Sequence, residues 1–310
     1  MTQPHSLSPA DRAPMRVVDA HHHIWRQADL PWLNGPMQPR IFGEYAAIRR
    51  DYLIDEFLAD ARPCGVTDSV YVQANWPPDR AVDEARWVQS VADTHGWPHA
   101  IVAYADFARE DIERQLDALG EVPLVRGVRQ QLHWHRNPTY RFAPRPDVMA
   151  DPGWRRGFAR LGPRGWVFEL QVFAEQMADS VRLVRDFPGQ VFVLAHAGML
   201  EDRSAEGVER WRRGMSELAR CDNVFVKLSG LGTFVRAASA GLMRPIVAET
   251  VSLFGAERCM YGSNFPIEKL WSDYAGLYAA FRSSIDELSD AEQAAILGGT
   301  AARVYRLAAR

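Results

Sequence analysis

Short apolar runs rich in β-branched residues alternate with amphipathic stretches along most of this chain. Most of the runs are apolar on both faces, which is typical of strands in a parallel sheet that helices cover. Eight strands are predicted, over residues 16–23, 68–75, 100–107, 125–134, 166–173, 191–198, 224–231 and 259–266. The amphipathic stretches predict helices over residues 53–61, 79–95, 110–119, 153–161, 175–187, 206–220, 242–254, 272–285 and 290–307. Eight alternations of strand and helix over ~290 residues favour an α/β fold, a single-domain (β/α)8 TIM barrel, over an open sheet.

Two long insertions interrupt the alternation of strands and helices. Residues 25–51 follow the first strand, residues 136–152 follow the fourth, and both contain several prolines. Loops that follow barrel strands lie over the catalytic end, so both insertions are expected to form lids. Residues 1–15 are polar with three prolines and are expected to form a disordered leader, which leaves residues 16–310 for the barrel.

The composition excludes several classes of function. The chain has 310 residues, 47% of them hydrophobic and 24% charged, and a net charge of −3, as in an ordinary globular protein. This charge, without a run of lysine and arginine, gives no basis for binding nucleic acid. No stretch approaches the ~20 apolar residues of a membrane span. The three cysteines are odd in number and far apart, which indicates reduced thiols and a cytoplasmic protein. The expected partner is a small-molecule substrate, and self-association into a homo-oligomer stays open.

Polar side chains recur at the carboxyl end of every predicted strand, where barrel enzymes place their chemistry. His21 and His23 are two residues apart at the end of the first strand, so they share a face while His22 points away. Two adjacent imidazoles can chelate a divalent metal or surround a reacting carbonyl. The other strands end in Gln73 and Asn75, Asp106, Arg129 with Gln131 and His133, Glu169 with Gln171, His196, Lys227 with Ser229, and Ser263 with Asn264. Buried polar groups without partners cost ~1–3 kcal/mol each, so this repeated placement favours a functional site over packing.

Several short motifs, taken in order, resemble a known family. They are VDAHHHIW at 18–25, YVQANW at 71–76, RGVRQ at 126–130, LAHAG at 194–198, VKLSGL at 226–231, MYGSNFP at 260–266 and TAARVY at 300–305. Together they resemble the amidohydrolase-related barrel hydrolases (amidohydrolase family 2), in the branch that contains sugar-lactone, pyrone-dicarboxylate and sulfomuconolactone hydrolases. The resemblance implies a (β/α)8 fold, hydrolysis of a small carbonyl compound and, in many members, dependence on a metal.

The chain departs from the metal-dependent pattern of that family at two strands. Members typically add a histidine or another ligand from the fifth strand and an aspartate from the eighth. Here the fifth strand carries Glu169 and Gln171, and Asn264 stands where the aspartate is expected. Asparagine carries no negative charge and cannot take a proton from water. Metal binding and the identity of the general base are therefore both open.

The leading hypothesis is hydrolysis of a small anionic lactone, in which water attacks the ring carbonyl. His21, His23 and His196 are expected to polarise that carbonyl directly, or to hold one divalent metal, zinc first, that does so. Such a metal is expected to be weakly held or absent. Asn264 is expected to act in catalysis by donating its amide N–H to the substrate.

Further residues are assigned to the general base and to substrate binding. Asp106 is the candidate general base, with His196 as the alternative. Glu268, four residues past Asn264, could fold back from its loop to serve as the base, but it is expected to be solvated. Arg129 is expected to grip a substrate carboxylate, since its planar fork matches two oxygens; the alternative is a structural ion pair with Glu169 or Asp106. The remaining candidates for substrate binding are Gln73, Trp25, Trp76, Lys227 and Ser229, with Trp134 as a further wall of the pocket.

Three other activities remain open at this point. A decarboxylase of an aromatic or pyrone acid would use the same histidines and metal as an electron sink and would release carbon dioxide. A lactam hydrolase would differ only in its leaving group. A catalytically impaired barrel, suggested by the missing carboxylate at Asn264, would bind small acids and turn nothing over.

Overall fold

The computed structural model describes residues 15–309, and within them a barrel of eight parallel strands forms the centre of the molecule. The strands follow one another around the barrel in chain order. They are β1 (Val18–His22), β2 (Asp68–Val72), β3 (Ala100–Tyr104), β4 (Val125–Gln131), β5 (Val167–Gln171), β6 (Phe192–Leu194), β7 (Val224–Leu228) and β8 (Cys259–Tyr261). A parallel bridge between His22 and Phe265 joins the first strand to the segment after the last. The predicted (β/α)8 TIM barrel is confirmed.

Helices connect successive strands and cover the outside of the barrel. They are α1 (Pro31–Asn34), α2 (Ile54–Ala61), α3 (Ala81–His95), α4 (Ile112–Gly120), α5 (Pro152–Phe158), α6 (Met177–Asp186), α7 (Ala205–Ala219), α8 (Ala240–Phe254), α9 (Tyr274–Ser284), α10 (Asp290–Ala294) and α11 (Thr300–Val304). Side chains that accept a hydrogen bond from the backbone of the first turn set several of their beginnings. These N-caps are Asp151, Ser204, Ser239, Asp273 and Ser289.

Some predicted boundaries differ from the structure. Asp79, the predicted start of a helix, lies in a short 3-10 turn before α3. Ser289 caps α10, because its hydroxyl accepts from the amide of Glu292. The last predicted helix is interrupted by a π-helical turn at Ala295–Gly299, where an added side chain at Gly298 would collide with the backbone of Arg16. The close approach of two backbone segments therefore reshapes the end of the chain.

Two layers of apolar side chains stabilise the barrel. The inner layer contains β-branched strand residues such as Val18, Val70 and Val193, and Tyr305 joins it from the end of the chain. The outer layer packs between the strands and the helices. Of the predicted leader, residues 1–14 lie outside the described residues. None of the described helices is long and apolar enough to span a bilayer.

Candidate active site

A cavity opens at the carboxyl ends of the strands and holds about 950 Å³ of empty space, including its open mouth. Residues from seven strand ends and from both long insertions line it, including His23, Gln73, Arg129, Gln171, His196 and Asn264. The two insertions contribute apolar and cationic side chains, among them Trp25, Trp32, Arg40, Phe42, Arg141 and Phe142. The volume is that of a pocket for a small molecule, and the insertions cover it as predicted.

Three of the predicted histidines come together at the base of this cavity. The ring centroid of His21 lies 5.1 Å from that of His23 and 4.6 Å from that of His196. His22 points away and stacks on Phe57 of α2 with ring centroids 3.8 Å apart. The convergence of His21, His23 and His196 therefore holds in the structure, although only His23 and His196 line the open space.

A hydrogen bond fixes the role of one of these rings, and a second hydrogen bond orients another. Nδ1 of His23 lies 2.6 Å from the carbonyl oxygen of Val72, which can only accept, so this nitrogen carries the hydrogen. Nε2 of neutral His23 therefore presents a lone pair. Nδ1 of His196 lies 2.9 Å from the hydroxyl of Ser229, which leaves Nε2 of His196 for the cavity. Neither ring nitrogen of His21 has a partner among the described residues.

Burial keeps all three rings neutral. Desolvation lowers the pKa of His21, His23 and His196 well below the ordinary value, and the nearby cations Lys227 and Arg129 lower it further. Protonation of any of these rings would place a further positive charge near Lys227 and Arg129, which costs free energy. These imidazoles can donate or accept hydrogen bonds and ligate a metal, but they are poor acceptors of a proton.

A bulge in β1 decides which of the histidines face the cavity. Val18 and Ala20 both belong to the inner layer of the barrel, so strict alternation would turn His22 inward. The register of β1 against β2 shifts by one residue between Asp19 and His22, which reverses the alternation and turns His21 and His23 inward. Asp19 supports this bend by accepting from the backbone amides of His21 and Ser263 at 3.1 and 2.8 Å.

Gly262 provides the space that His21 occupies. A Cβ atom at this position would lie 2.7 Å from Cβ of His21 and 3.1 Å from Cβ of Ser229. We expect Gly262→Ala to lower the free energy of unfolding by about 1–3 kcal/mol and to reduce turnover, because His21 must shift. Gly241→Ala is the matched control, since nothing lies within 4 Å of its Cβ. Thermal unfolding and kcat of both variants check this; equal effects of the two would contradict it.

Backbone conformation is unusual around the same cavity. Asn75, His196, Met199 and Asn264 line it, and all four have positive φ angles, between 53° and 64°. Residues without the freedom of glycine adopt this region only where their surroundings impose it, often at functional sites. The strand ends at β2, β6 and β8 thus hold His196 and both asparagines in positions that an ordinary strand would not give.

Arg129 lies at the bottom of the cavity and pairs with no carboxylate within the described residues. Its Nη2 donates to the carbonyl oxygen of Gln73 at 2.6 Å, its Nη1 lies 3.4 Å from Oε1 of Gln171, and its Nε has no partner. Burial lowers the pKa of Arg129 to about 10, so the group is still charged at neutral pH. The structural ion pair with Glu169 or Asp106 is absent, which leaves the guanidinium available to a ligand.

The charge of the cavity lining is entirely positive. Arg40, Arg129 and Arg141 line it, and no aspartate or glutamate does so within residues 15–309. None of the three arginines makes an ion pair in that part of the chain; Arg40 and Arg141 lie over the rings of Trp32 and Trp134. A cavity with three guanidinium groups and no carboxylate attracts anions.

Several predicted site residues lie elsewhere in the barrel. Asp106 does not reach the cavity, because Oδ1 accepts from Gln130 and from the backbone of Ala108 at 2.9 and 3.1 Å. Lys227 points into the barrel, where Nζ lies 2.5 Å from Oε1 of Glu169, and neither side chain is exposed. Ser229 contacts His196 rather than the open space. Neither Trp76 nor Trp134 belongs to the lining: Arg80 lies over the ring of Trp76, and Arg141 of the lining lies over that of Trp134. Trp25 and Gln73 do belong to it.

Glu268 differs most from its sequence-based prediction. Its side chain was expected in solvent because it follows the last strand in a loop, but it is fully buried in the short turn Ile267–Leu270. Oε2 accepts from the indole of Trp271 at 2.7 Å, and Oε1 lies 3.3 Å from the hydroxyl of Thr233. Sequence reasoning also missed five lining residues, since no periodic pattern marks positions in irregular loops: Trp32, Arg40 and Phe42 of the first insertion, and Thr233 and Phe234 after β7.

The histidines at the base of the cavity are of a kind that can bind a divalent metal. Three neutral imidazoles, one of them with both nitrogens unpartnered, are ligands that zinc prefers. Within residues 15–309, however, no three histidine, cysteine, aspartate or glutamate side chains meet in an arrangement that could hold a metal ion. The residues of the site therefore fit a metal in kind but not in arrangement.

Comparison with known proteins agrees with this geometry. The model of the family described as Amidohydrolase matches residues 18–307. An L-fucono-1,5-lactonase of Burkholderia multivorans is 30% identical over 94% of this chain and 96% of its own length, and the uncharacterised protein y4mH of Sinorhizobium fredii is 38% identical over 94% and 98%. A crystal structure of an amidohydrolase from Burkholderia multivorans with bound zinc superposes with a TM-score of 0.79 at 27% identity, covering 94% of this chain and all of that one. The barrel, its histidine-lined cavity and these matches together place the chain in the amidohydrolase family, as a hydrolase.

Proposed function

We propose that this protein hydrolyses a small lactone that carries a carboxylate. The observation that carries the proposal is the cavity itself. Three neutral histidines meet at its base, three arginines line it, and no carboxylate lines it within residues 15–309. Such a lining favours an anionic ligand whose carbonyl lies next to imidazole groups. The relative named L-fucono-1,5-lactonase supports a lactone as the reacting group.

Each part of the cavity fits one requirement of the reaction. Arg129 would hold the substrate carboxylate with two parallel hydrogen bonds at the bottom of the cavity. His196, whose Nδ1 can accept from Ser229, then carries its hydrogen on Nε2 and donates it to the oxygen that becomes negative. The lone pair on Nε2 of His23 accepts a hydrogen bond from the attacking water.

The rim of the cavity fits the remaining part of a ring-shaped substrate. Side chains of Ile41, Phe42, Met199 and Phe234 line it together with the more exposed Phe142. Apolar and aromatic walls bind the faces of a planar or puckered ring, while the polar base fixes its orientation. We therefore expect lactones with an apolar ring face to bind more tightly than highly hydroxylated ones.

A panel of lactones with and without a carboxylate tests the proposal, with the product identified by NMR. We expect a ring-opened hydroxy acid from carboxylated lactones, with a lower KM than for their methyl esters. Release of carbon dioxide would instead identify a decarboxylase, and binding without turnover would identify a ligand-binding barrel. Matched lactams in the same panel separate an oxygen leaving group from a nitrogen one.

A divalent metal, most readily zinc, is proposed only as a weakly bound ion, with His21, His23 and His196 as its ligands. The family and the zinc-bound relative support a metal. Two observations argue against firm binding. No carboxylate of the described lining offsets the charge of the metal, and the positive charges of Arg129 and Lys227 lie near the same histidine rings.

We therefore expect the purified protein to carry clearly less than one equivalent of metal after dialysis, because neutral imidazoles do not offset the charge of a dication. Elemental analysis measures this. His21→Ala should remove the remaining metal, whereas His133→Ala should not, although it too removes a buried imidazole, one that lines the cavity. Full occupancy in the wild type would contradict the expectation.

A further inference from the structure

Glu268 is a fully buried carboxyl group directly behind the cavity. Its oxygens face three donors: the indole of Trp271 at 2.7 Å, the hydroxyl of Thr233 at 3.3 Å and the amide of Asn264 at 3.5 Å. An added Cβ at Gly232 would lie 3.1 Å from Oε2, so the backbone packs closely over the group. Water is therefore excluded on this side, and the protein supplies the contacts of the carboxyl.

No cation neutralises Glu268 within the described residues. The cations on the elements around it have other partners. Lys269 pairs with Glu56 and Asp60 at 2.7 Å. The guanidinium of Arg236 lies against Gly43, and that of Arg49 donates to the backbone of Leu33 and Gly35. Burial without a counter-charge raises the pKa of Glu268 to about 8, and the three hydrogen bonds lower it only in part. Glu268 can thus gain or lose a proton near neutral pH.

Two of the three donors connect Glu268 to the cavity. Thr233 and Asn264 both line the open space, whereas Glu268 does not. Thr233 lines the cavity and its hydroxyl contacts the carboxyl, and a hydroxyl can accept one proton while it donates another. The histidines of the site are poor proton acceptors, because their pKa values are lowered by burial. The cavity lining itself contains no carboxylate in the described part of the chain.

We propose that Glu268 takes up and returns the proton of the reaction through the hydroxyl of Thr233; this rests on the lactone hydrolysis proposed above. As the water oxygen bonds to the carbonyl carbon, a water proton passes to Oγ1 of Thr233, the threonine proton passes to Oε1 of Glu268, and the carbonyl π electrons move onto the oxygen. When they return, the ring C–O bond breaks and the reverse route delivers a proton to the leaving alkoxide. Lactone and water give one hydroxy acid, which loses a proton to solvent at neutral pH.

The variant Glu268→Gln tests this role, because glutamine keeps the shape and can keep hydrogen bonds but takes up no proton. We expect kcat to fall at least ~100-fold with little change in KM. The wild-type kcat should rise with pH through an inflection near 8, and this inflection should be missing in Glu268→Gln. Thr233→Val should lower kcat similarly, Thr233→Ser should restore most of it, and the double variant Thr233→Val/Glu268→Gln should be no slower than either single variant.

Glu84→Gln is the matched control. Glu84 is also buried, and it accepts hydrogen bonds from the hydroxyl of Tyr71 and the amide of Ala74. Neither Glu84 nor Tyr71 lines the cavity, so no hydroxyl connects this carboxyl to the reacting groups. This variant should keep the inflection near pH 8. Thermal unfolding gives a readout independent of activity. The pKa of Glu268 is raised in the folded state, so the folded protein binds more protons between about pH 4.5 and 8 and loses stability relative to Glu268→Gln as pH rises through that range.

Three outcomes would overturn the inference. An active wild type whose Glu268→Gln variant keeps the full kcat overturns it and leaves lactone hydrolysis intact. A slower Glu268→Gln variant with the wild-type pH profile shows a structural role instead, and also overturns it. A wild type that opens no lactone removes the proposed function and this inference together.

Discussion

Replacement of Arg129 by methionine is expected to raise KM for carboxylated lactones and to leave the barrel folded. The guanidinium is 3% exposed, holds no ion pair and has one nitrogen without a partner, so a substrate carboxylate would be its main counter-charge. Removing one member of a buried charged pair costs about 2–5 kcal/mol, which corresponds to roughly 30- to 5,000-fold in kcat/KM. Steady-state kinetics on a carboxylated lactone measure the effect.

Two comparisons separate substrate binding from a structural role of Arg129. The methyl ester of the same lactone should be affected far less by Arg129→Met, because it has no carboxylate to lose. Arg141→Met removes a guanidinium from the exposed rim, where solvent screens the charge, and should change KM only slightly. An unchanged KM together with a lower melting temperature in Arg129→Met would show that the arginine serves the fold.

Replacement of Lys227 by methionine is expected to destabilise the protein strongly. Lys227 and Glu169 form an ion pair with neither side chain exposed, and the hydroxyl of Tyr305 donates to the same carboxylate oxygen at 2.7 Å. Burial lowers the pKa of Lys227 to about 8 even though Glu169 opposes the shift. Without Lys227 the carboxylate stays buried with one hydroxyl donor, which costs about 3–5 kcal/mol. Chemical denaturation measures the loss.

The double variant Lys227→Met/Glu169→Leu is the informative control, because it removes both buried charges. It should recover much of the stability, since a buried ion pair contributes little beyond what apolar packing gives. Arg244→Met breaks a pair with Asp286 and Glu287 on the surface and should leave the free energy of unfolding almost unchanged. A double variant as unstable as Lys227→Met would contradict this interpretation.

The alternation of apolar and amphipathic segments was sufficient to predict the barrel, because each strand is followed by its helix along the chain. Strand ends were less well predicted, since apolar runs such as residues 191–198 continue beyond the hydrogen-bonded strand Phe192–Leu194. There His196 and Ala197 adopt left-handed conformations that hydrophobicity does not reveal. The helix predicted over residues 290–307 is interrupted where Gly298 lies against the backbone of Arg16, a contact between distant parts of the chain that local pattern does not reveal.

The site shows the same division between local pattern and tertiary contact. Alternation predicted that His21 and His23 share a face, yet the bulge that turns this face inward depends on pairing with β2. Asp106 and Lys227 have the right position in sequence, but Gln130 and Glu169 hold their side chains elsewhere. Glu268 looks like a surface residue in sequence, and only the packing of Thr233 and Trp271 buries it. The cytoplasmic location of the protein and any self-association stay predictions.

The most direct test of lactone hydrolysis is turnover of a carboxylated lactone in water labelled with oxygen-18, with the product analysed by mass spectrometry and NMR. We expect a ring-opened hydroxy acid that carries one labelled oxygen in its new carboxylate, formed without carbon dioxide. A protein that binds the lactone and leaves it intact, or one that releases carbon dioxide, would contradict lactone hydrolysis.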